Sequence, residues 1–325
     1  FLMIEADSRR LGTRPAAVEI APLSEVTRRG GHHFLPLISI GVLLAAGVST
    51  FRAVFWATLL AVGLSFVRRD TALWPRRLVA AFDAGGRGVL SVAATTATAG
   101  IIVGVVTLTG LGLKVAGLIV ALAGGHLVLT VLYSALAVWL LGLAVPVTAS
   151  YIIAAVMVAP AMTSVGVAPL AAHMFIFYYA VLSEVSPPTA LAPFAAAALT
   201  GGNPFKTMML TWKYTLPAFL VPFVFTLDPH GMGVLLHGPA GDIVRATATA
   251  ALGVVALAAG FGGWMRRAAT LPERALAIAG GAMLFYPGGV ADATGIAITA
   301  SAAILHAWRT QGTRAPTPRP GPGPR

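Results

Sequence analysis

Two short segments of this 325-residue chain combine residue types that can hold an ion or a carboxylate. The first is Ser183-Glu184-Val185-Ser186-Pro187-Pro188-Thr189. Proline has no N–H to lose at the first position of a helix, and serine is a favoured cap just before it. Ser186 followed by Pro187 therefore predicts a half-helix running to about Leu199. The positive end of such a helix attracts a carboxylate, and the helix that stops before it leaves carbonyls free to hold a cation. Glu184 stands at that junction, as the one acid in the apolar stretch from Val89 to Thr200. A carboxylate there needs water, a cation or a proton. The plainer reading is that the proline pair only kinks a helix and Glu184 snorkels at its end.

The second segment is Gly142-Leu143-Ala144-Val145-Pro146-Val147-Thr148. Here too a helix stops, glycine permits close backbone approach, and proline restarts a helix with a threonine hydroxyl nearby. Carbonyls and hydroxyls are the hard oxygen donors that a small cation such as Na⁺ prefers, and a packing kink explains the same residues equally well. Gly142, Thr148, Ser183 and Ser186 are the candidate Na⁺ ligands. Pro146, Glu184, Pro187, Pro188 and Thr189 complete the candidate ion and substrate site. The threonine-rich stretch Thr95–Thr109 is better explained by helix packing, given the Gly100 and Gly104 spacing. His126 and His173 read as buried neutral histidines, and Phe175, Phe177, Tyr178 and Tyr179 as core or an interfacial belt.

Other chemistry is excluded. There is no cysteine, hence no disulfide, thiolate metal site or cysteine nucleophile. No HExxH, Gly-x-Ser-x-Gly or P-loop pattern occurs, so the chain has no ATP-hydrolysing motif and no enzymatic one. No cofactor is expected, and energy would have to come from an ion gradient or from another subunit.

The elements that must position these segments lie in a membrane. Hydrophobic residues make up 57% of the chain and charged residues 10%, with a mean hydropathy of +0.84. A soluble domain carries about a quarter charged residues, because water must wet its surface. The net charge of +11 does not point to nucleic acid, because 17 of the 22 basic residues cluster in four connections or tails. That is the pattern of cytoplasmic loops. The connection Asp228–Asp242 has no Lys or Arg and is placed outside. The expected fold is all-α: a polytopic membrane bundle with broken helices.

Residues 1–33 read as a cytoplasmic connection. Residues 34–88 read as a helical hairpin, with a turn at Gly47–Thr50, and a basic loop Arg68–Arg87 in which Leu78–Phe82 lies along the membrane surface. Residues 89–229 read as a transport-type core with discontinuous helices, interrupted at Thr95–Thr98, Thr107–Gly112, Gly124-Gly125, Gly142–Pro146, Pro160, Pro169 and Ser186–Pro188. Lipid cannot satisfy the backbone groups such breaks release, so protein or a wet cavity must cover them. A plain anchor has no use for that; a transporter does. Residues 230–308 read as further membrane helices broken at Pro287-Gly288-Gly289, and 309–325 as a disordered basic tail. The chain opens on Phe1 rather than Met, and residues upstream are expected.

The run Ala99–Lys114 (AGIIVGVVTLTGLGLK) resembles the fused membrane subunit of tripartite ATP-independent periplasmic (TRAP) transporters, in the class served by TAXI-type binding proteins. Leu141–Tyr151 resembles that family's Leu-Gly-Met-Gly-Leu-Pro-Thr-Thr-Ala-Ala-Tyr segment, and Leu182–Ala192 its Thr-Pro-Pro-Val-Ala-Leu-Ala segment. Gly201–Pro229 continues the likeness. Ala144 and Val147 stand where the family has glycine and threonine, Ser186 where it has threonine, and Glu184 where it more often has Asn or Asp. The resemblance implies a Na⁺-coupled symporter of the bacterial inner membrane, moving by an elevator mechanism. A periplasmic TAXI-type binding protein would deliver its substrate, a small organic anion. It also implies inverted repeats, each with a re-entrant hairpin and a broken helix. This chain would hold one such half. The N-terminal half of the permease, and the small membrane subunit or its fused equivalent, would complete the site among membrane lipids, and the chain alone is expected not to transport. Two other classes stay open at this point: a membrane enzyme acting on a lipid-linked substrate, and a non-transporting membrane scaffold.

Overall fold

The computed structural model describes residues 1–11, 22–188, 190–265, 267–286 and 288–311. Among them the only strand-like feature is an isolated bridge between Trp264 and Ala268, so the chain is all-α. Five helical segments are long and apolar enough to cross a bilayer: 75–108, 147–164, 204–227, 240–262 and 289–310. Leu108, Leu199 and Val290 are more than 80% exposed, apolar surface of the kind that lipid covers in a membrane protein. The described residues form a multi-pass helical bundle. Its backbone divides into two compact units, residues 14–94 and residues 1–13 with 95–325.

The larger unit begins with α1 (Leu2–Leu11), and the smaller one holds α2 (Leu23–Gly30), α3 (Leu35–Ala45) and α4 (Thr50–Ser65). A turn with Gly47 at φ +81° joins α3 to α4. Helix α5 (Pro75–Leu108) starts inside what reads in sequence as a basic loop. Arg76, Arg77 and Arg87 are thus helical, because Pro75 opens a helix well and arginine continues one.

The larger unit then carries α6 (Leu111–Leu122), α7 (Leu127–Gly142), α8 (Val147–Ser164), α9 (Pro169–Ser183), α10 (Leu191–Thr200), α11 (Pro204–Thr215) and α12 (Val221–Leu227). It closes with α13 (Ala240–Gly262), α14 (Leu271–Met283) and α15 (Gly289–Gln311). Two expected interruptions are absent. Thr95–Thr98 lie within α5 and Pro160 within α8. Threonine hydroxyls bond back to the preceding turn, as Thr109 does to Val105 O at 2.7 Å and Thr163 to Ala159 O at 3.0 Å, so they need not interrupt a helix. Pro160 deprives the Val156 carbonyl of its helical donor, and the backbone of α6 closes over it. A Cβ on Gly112 would lie 3.0 Å from Val156 O.

Helices α6 to α9 form one core, in which Val131 and Val138 of α7 meet Val158 and Met162 of α8 and Phe175 and Ile176 of α9. A second core holds Ala250 and Leu257 of α13 with Phe285. Helix α12 joins the two, with Phe225 in the first core and its neighbour Val224 in the second. Before α12, Leu216–Leu220 is a 3₁₀ turn, and Tyr179 donates its hydroxyl hydrogen to Phe219 O there. Helices α13, α14 and α15 approach through two reciprocal glycine pairs. A Cβ on Gly281 would lie 3.0 Å from Gly253 O, and one on Gly280 would lie 3.0 Å from Gly295 O. The adjacent glycines of α14 thus let two different helices come to backbone distance.

Ion pairs hold this layer at its ends. Arg245 donates to Asp292 at 2.6 and 2.8 Å. The buried Glu273 accepts from Arg309 at 2.8 Å, from the Thr270 N–H at 2.8 Å, and faces His306 Nδ1 at 3.1 Å. The Arg309 guanidinium, with the Thr270 and His306 groups, holds the Glu273 carboxyl down at about 2, against the pull of burial. Asp7 of α1 accepts from Lys213 Nζ at 2.7 Å and Tyr214 OH at 3.1 Å, which fastens α1 to α11. Pro287, and the tail from residue 312 on, lie outside the described residues.

Candidate functional site

Each of the two segments that open the sequence reading interrupts a helix. Helix α7 ends at Gly142 and α8 begins at Val147, while α9 ends at Ser183 and α10 begins only at Leu191. Proline explains both stops. The carbonyl four residues before a proline has no N–H to receive, which leaves Gly142 C=O without its helical donor at Pro146. Ser183 and Glu184 stand in the same relation to Pro187 and Pro188. The Ser183 carbonyl turns to the Ser186 N–H at 3.0 Å instead.

The half-helix expected from Ser186 starts later than the sequence suggests. A residue before proline avoids the helical region, and Pro187 itself precedes Pro188, so the helix cannot form until the pair is passed. Ser186 caps no helix among the described residues. Its hydroxyl donates back to Leu182 O at 2.8 Å, and Ser183 Oγ donates to Ala180 O at 2.6 Å. Ala190, at φ +27°, turns the chain into α10. Pro193 fits the first turn of α10, where backbone N–H groups have no helical partner.

The two breaks meet. A Cβ on Gly142 would lie 2.7 Å from Ser183 Cβ and 3.2 Å from Ser150 Oγ, so only glycine allows α7, α8 and α9 to converge there. Beside this contact is a pocket of about 150 Å³ lined by Gly142–Pro146, Glu184 and Leu191. That is room for several water molecules. Gly142, Pro146 and Glu184 thus share one pocket, with Ser183 against its glycine, and Ser183 and Ser186 are buried. Among the described residues, the half-buried Glu184 carboxylate has no hydrogen-bond or ion-pair partner. Pro187 is half-buried and Pro188 exposed; Thr189 lies outside the described residues.

Thr148 is exposed and does not line the pocket. Ser150 takes the inner position, because two residues rotate a helix by about 200°. Its hydroxyl is fully buried and has no hydrogen-bond partner among the described residues. The one sequence signal for it is its place four residues after Pro146, to whose carbonyl its N–H donates at 2.9 Å. Among the described residues, the oxygens around this contact suit a small hard cation: the Ser183 lone pair left after its hydroxyl has donated, the Ser150 hydroxyl, the Gly142 carbonyl and the Glu184 carboxylate.

The two histidines are not buried. His126 is exposed in the turn before α7, and His173 is exposed on α9, where its Nδ1 lies 3.1 Å from Tyr151 OH. A helix-capping turn and the outer face of a hairpin both leave a ring outside the core. Phe175 and Tyr179 do enter that core, against Phe219 and Phe223.

The family model for the tripartite ATP-independent periplasmic transporter, DctM component, matches residues 2–230. The chain belongs to this family. As a DctM component it is a membrane permease subunit and not an enzyme, which removes the lipid-linked-substrate reading and the inert scaffold. A DctM component works with a periplasmic binding protein and a small membrane subunit. No curated protein and no solved structure matches the chain. The DctM match ends before α13, so the ion-paired layer of α13, α14 and α15 lies beyond it.

Proposed function

We propose that this DctM chain carries out Na⁺-coupled import of a small organic anion, handed over by a TAXI-type periplasmic binding protein. The observation that supports this reading most is the convergence of two interrupted helices on Gly142, with Ser183 and Ser150 against that glycine and Glu184 lining the small pocket beside it. Gly142 C=O, Ser150, Ser183, Ser186 and Glu184 are the oxygen donors for the coupling ion. Pro187 and Pro188 hold α9 and α10 apart so that the pocket stays open. Thr148 enters the ligand set only if the helix start rearranges. The carboxylate passenger lies toward the N-terminus of α10, whose first residue, Leu191, lines the same pocket. Na⁺ bound at the break offsets the charge of the anion, which couples the two in one step through the membrane. An elevator-like movement of α7 to α10 would carry both.

The test is uptake into proteoliposomes holding the chain with its small membrane subunit and binding protein. Accumulation of a labelled organic acid that requires an inward Na⁺ gradient is the expected result. Uptake that follows a proton gradient and ignores Na⁺ would overturn the ion assignment.

A further inference from the structure

The helices beyond the family match line an open cavity together with α1. Between α1, α13, α14 and α15 lies a pocket of about 430 Å³. Its walls are mostly alanines, among them Ala256 and Ala259 from α13, Ala277 from α14 and Ala302 and Ala303 from α15, with Val255, Met265 and Thr299 beside them. A longer aliphatic residue at the exposed Ala303 would project into the space.

The mouth of the pocket has a different chemistry. Glu5 and Arg9 of α1 line it, together with Trp264. Arg9 Nε donates to Glu5 at 2.7 Å, and the two side chains remain 73% and 47% exposed. An exposed pair of this kind is held weakly and exchanges readily for another partner. One anion and one cation, a helical turn apart, thus stand at the rim of an apolar slot between two segments long enough to span the membrane. Tryptophan at such a rim is typical of the level of lipid headgroups.

We propose that this pocket binds a phosphatidylethanolamine-type phospholipid. One acyl chain lies between the alanine walls, the phosphate sits on Arg9 and the ammonium on Glu5. Charge complementarity selects the zwitterion, because a lipid that is only anionic satisfies Arg9 and leaves Glu5 facing a like charge. An acyl chain in the slot covers apolar surface that α1 alone leaves open. The lipid would fasten α1 to the C-terminal layer, alongside the Asp7–Lys213 contact.

The test uses the full chain, purified in mild detergent and titrated with palmitoyl-oleoyl phosphatidylethanolamine or the matching phosphatidylglycerol. Native mass spectrometry counts the lipids retained. Phosphatidylethanolamine should be retained in preference. Glu5→Gln should reduce that preference roughly threefold, the scale of one exposed ion contact. Arg9→Gln should weaken both lipids. Ala303→Leu, at an exposed position of α15 on the pocket wall, should exclude both while the thermal midpoint stays at the parent value. Equal retention of the two lipids, preference for phosphatidylglycerol, or full retention by the Ala303→Leu variant would each overturn the proposal.

Discussion

Replacing Gly142 by alanine tests whether the two helix breaks form one site. The added Cβ would stand 2.7 Å from Ser183 Cβ, whereas carbon atoms rest at about 3.5–4.0 Å. Helices α7 and α9 must therefore separate by close to an ångström. The atom in the way is a Cβ fixed to backbone, so no flexible tip can swing aside. Overpacking of this kind costs about 1–3 kcal/mol, while alanine returns about 0.5–1 kcal/mol of helix propensity over glycine. The clash wins, and a net loss of about 1–2 kcal/mol is expected. Ser183→Gly opens the same space, so the double variant should regain most of that loss, as a coupling energy of similar size. Gly117→Ala is the control, because nothing lies within 4 Å of its Cβ and the position is exposed. Thermal unfolding in detergent measures the stabilities, and Na⁺-driven uptake measures the site. A displacement near 1 Å should cost uptake on the order of a hundredfold. If Gly142→Ala were as stable and as active as the parent, or if Ser183→Gly gave no rescue, the convergence argued from these residues would be wrong.

Other outcomes follow from the same structure. Glu184→Gln and Ser186→Ala should each lower Na⁺-dependent uptake while membrane insertion stays normal; full uptake in both variants would remove them from the site. Because the Glu273 carboxyl is held at about 2 rather than the usual 4.5, the stability it contributes is present above pH 4.5 and is lost as pH falls toward 2. The thermal midpoint of the parent should drop across that acid window, and that of Glu273→Gln should start lower and vary less; identical profiles would count against the ion cluster. Tyr179→Phe leaves the Phe219 carbonyl without its hydroxyl donor and should cost about 1–2 kcal/mol, read as a lower thermal midpoint.

Much of the fold was legible before any coordinates, because lipid imposes a coarse rule. Long uncharged runs must be helices, and basic residues must collect between them. The hairpin turn at Gly47 and the stops at Gly142 and Ser183 follow from glycine and proline chemistry at single residues. The misplaced elements have local causes too. Thr95–Thr98 and Pro160 resemble breaks in a one-dimensional reading, but a threonine satisfies its own helix and a proline needs only one carbonyl covered. The glycine pairs 253/281 and 280/295 carry no signal by themselves, since glycine is common throughout the chain and only pairing across helices gives these four their role.

The amino-acid sequence by itself determined the solvent, the helical class and the family, because these depend on hydrophobic content and on motifs contiguous in the chain. It also determined which carbonyls lose their helical donor, since a proline removes a hydrogen-bond donor wherever the chain goes. Only the tertiary structure decided which of those stops meet, that Ser150 rather than Thr148 faces Gly142, and that Glu184 finds no partner among the described residues. Those facts depend on helix rotation and on contacts between residues some forty positions apart. No spacing along a chain encodes them, because they are settled by how closely three helices can pack.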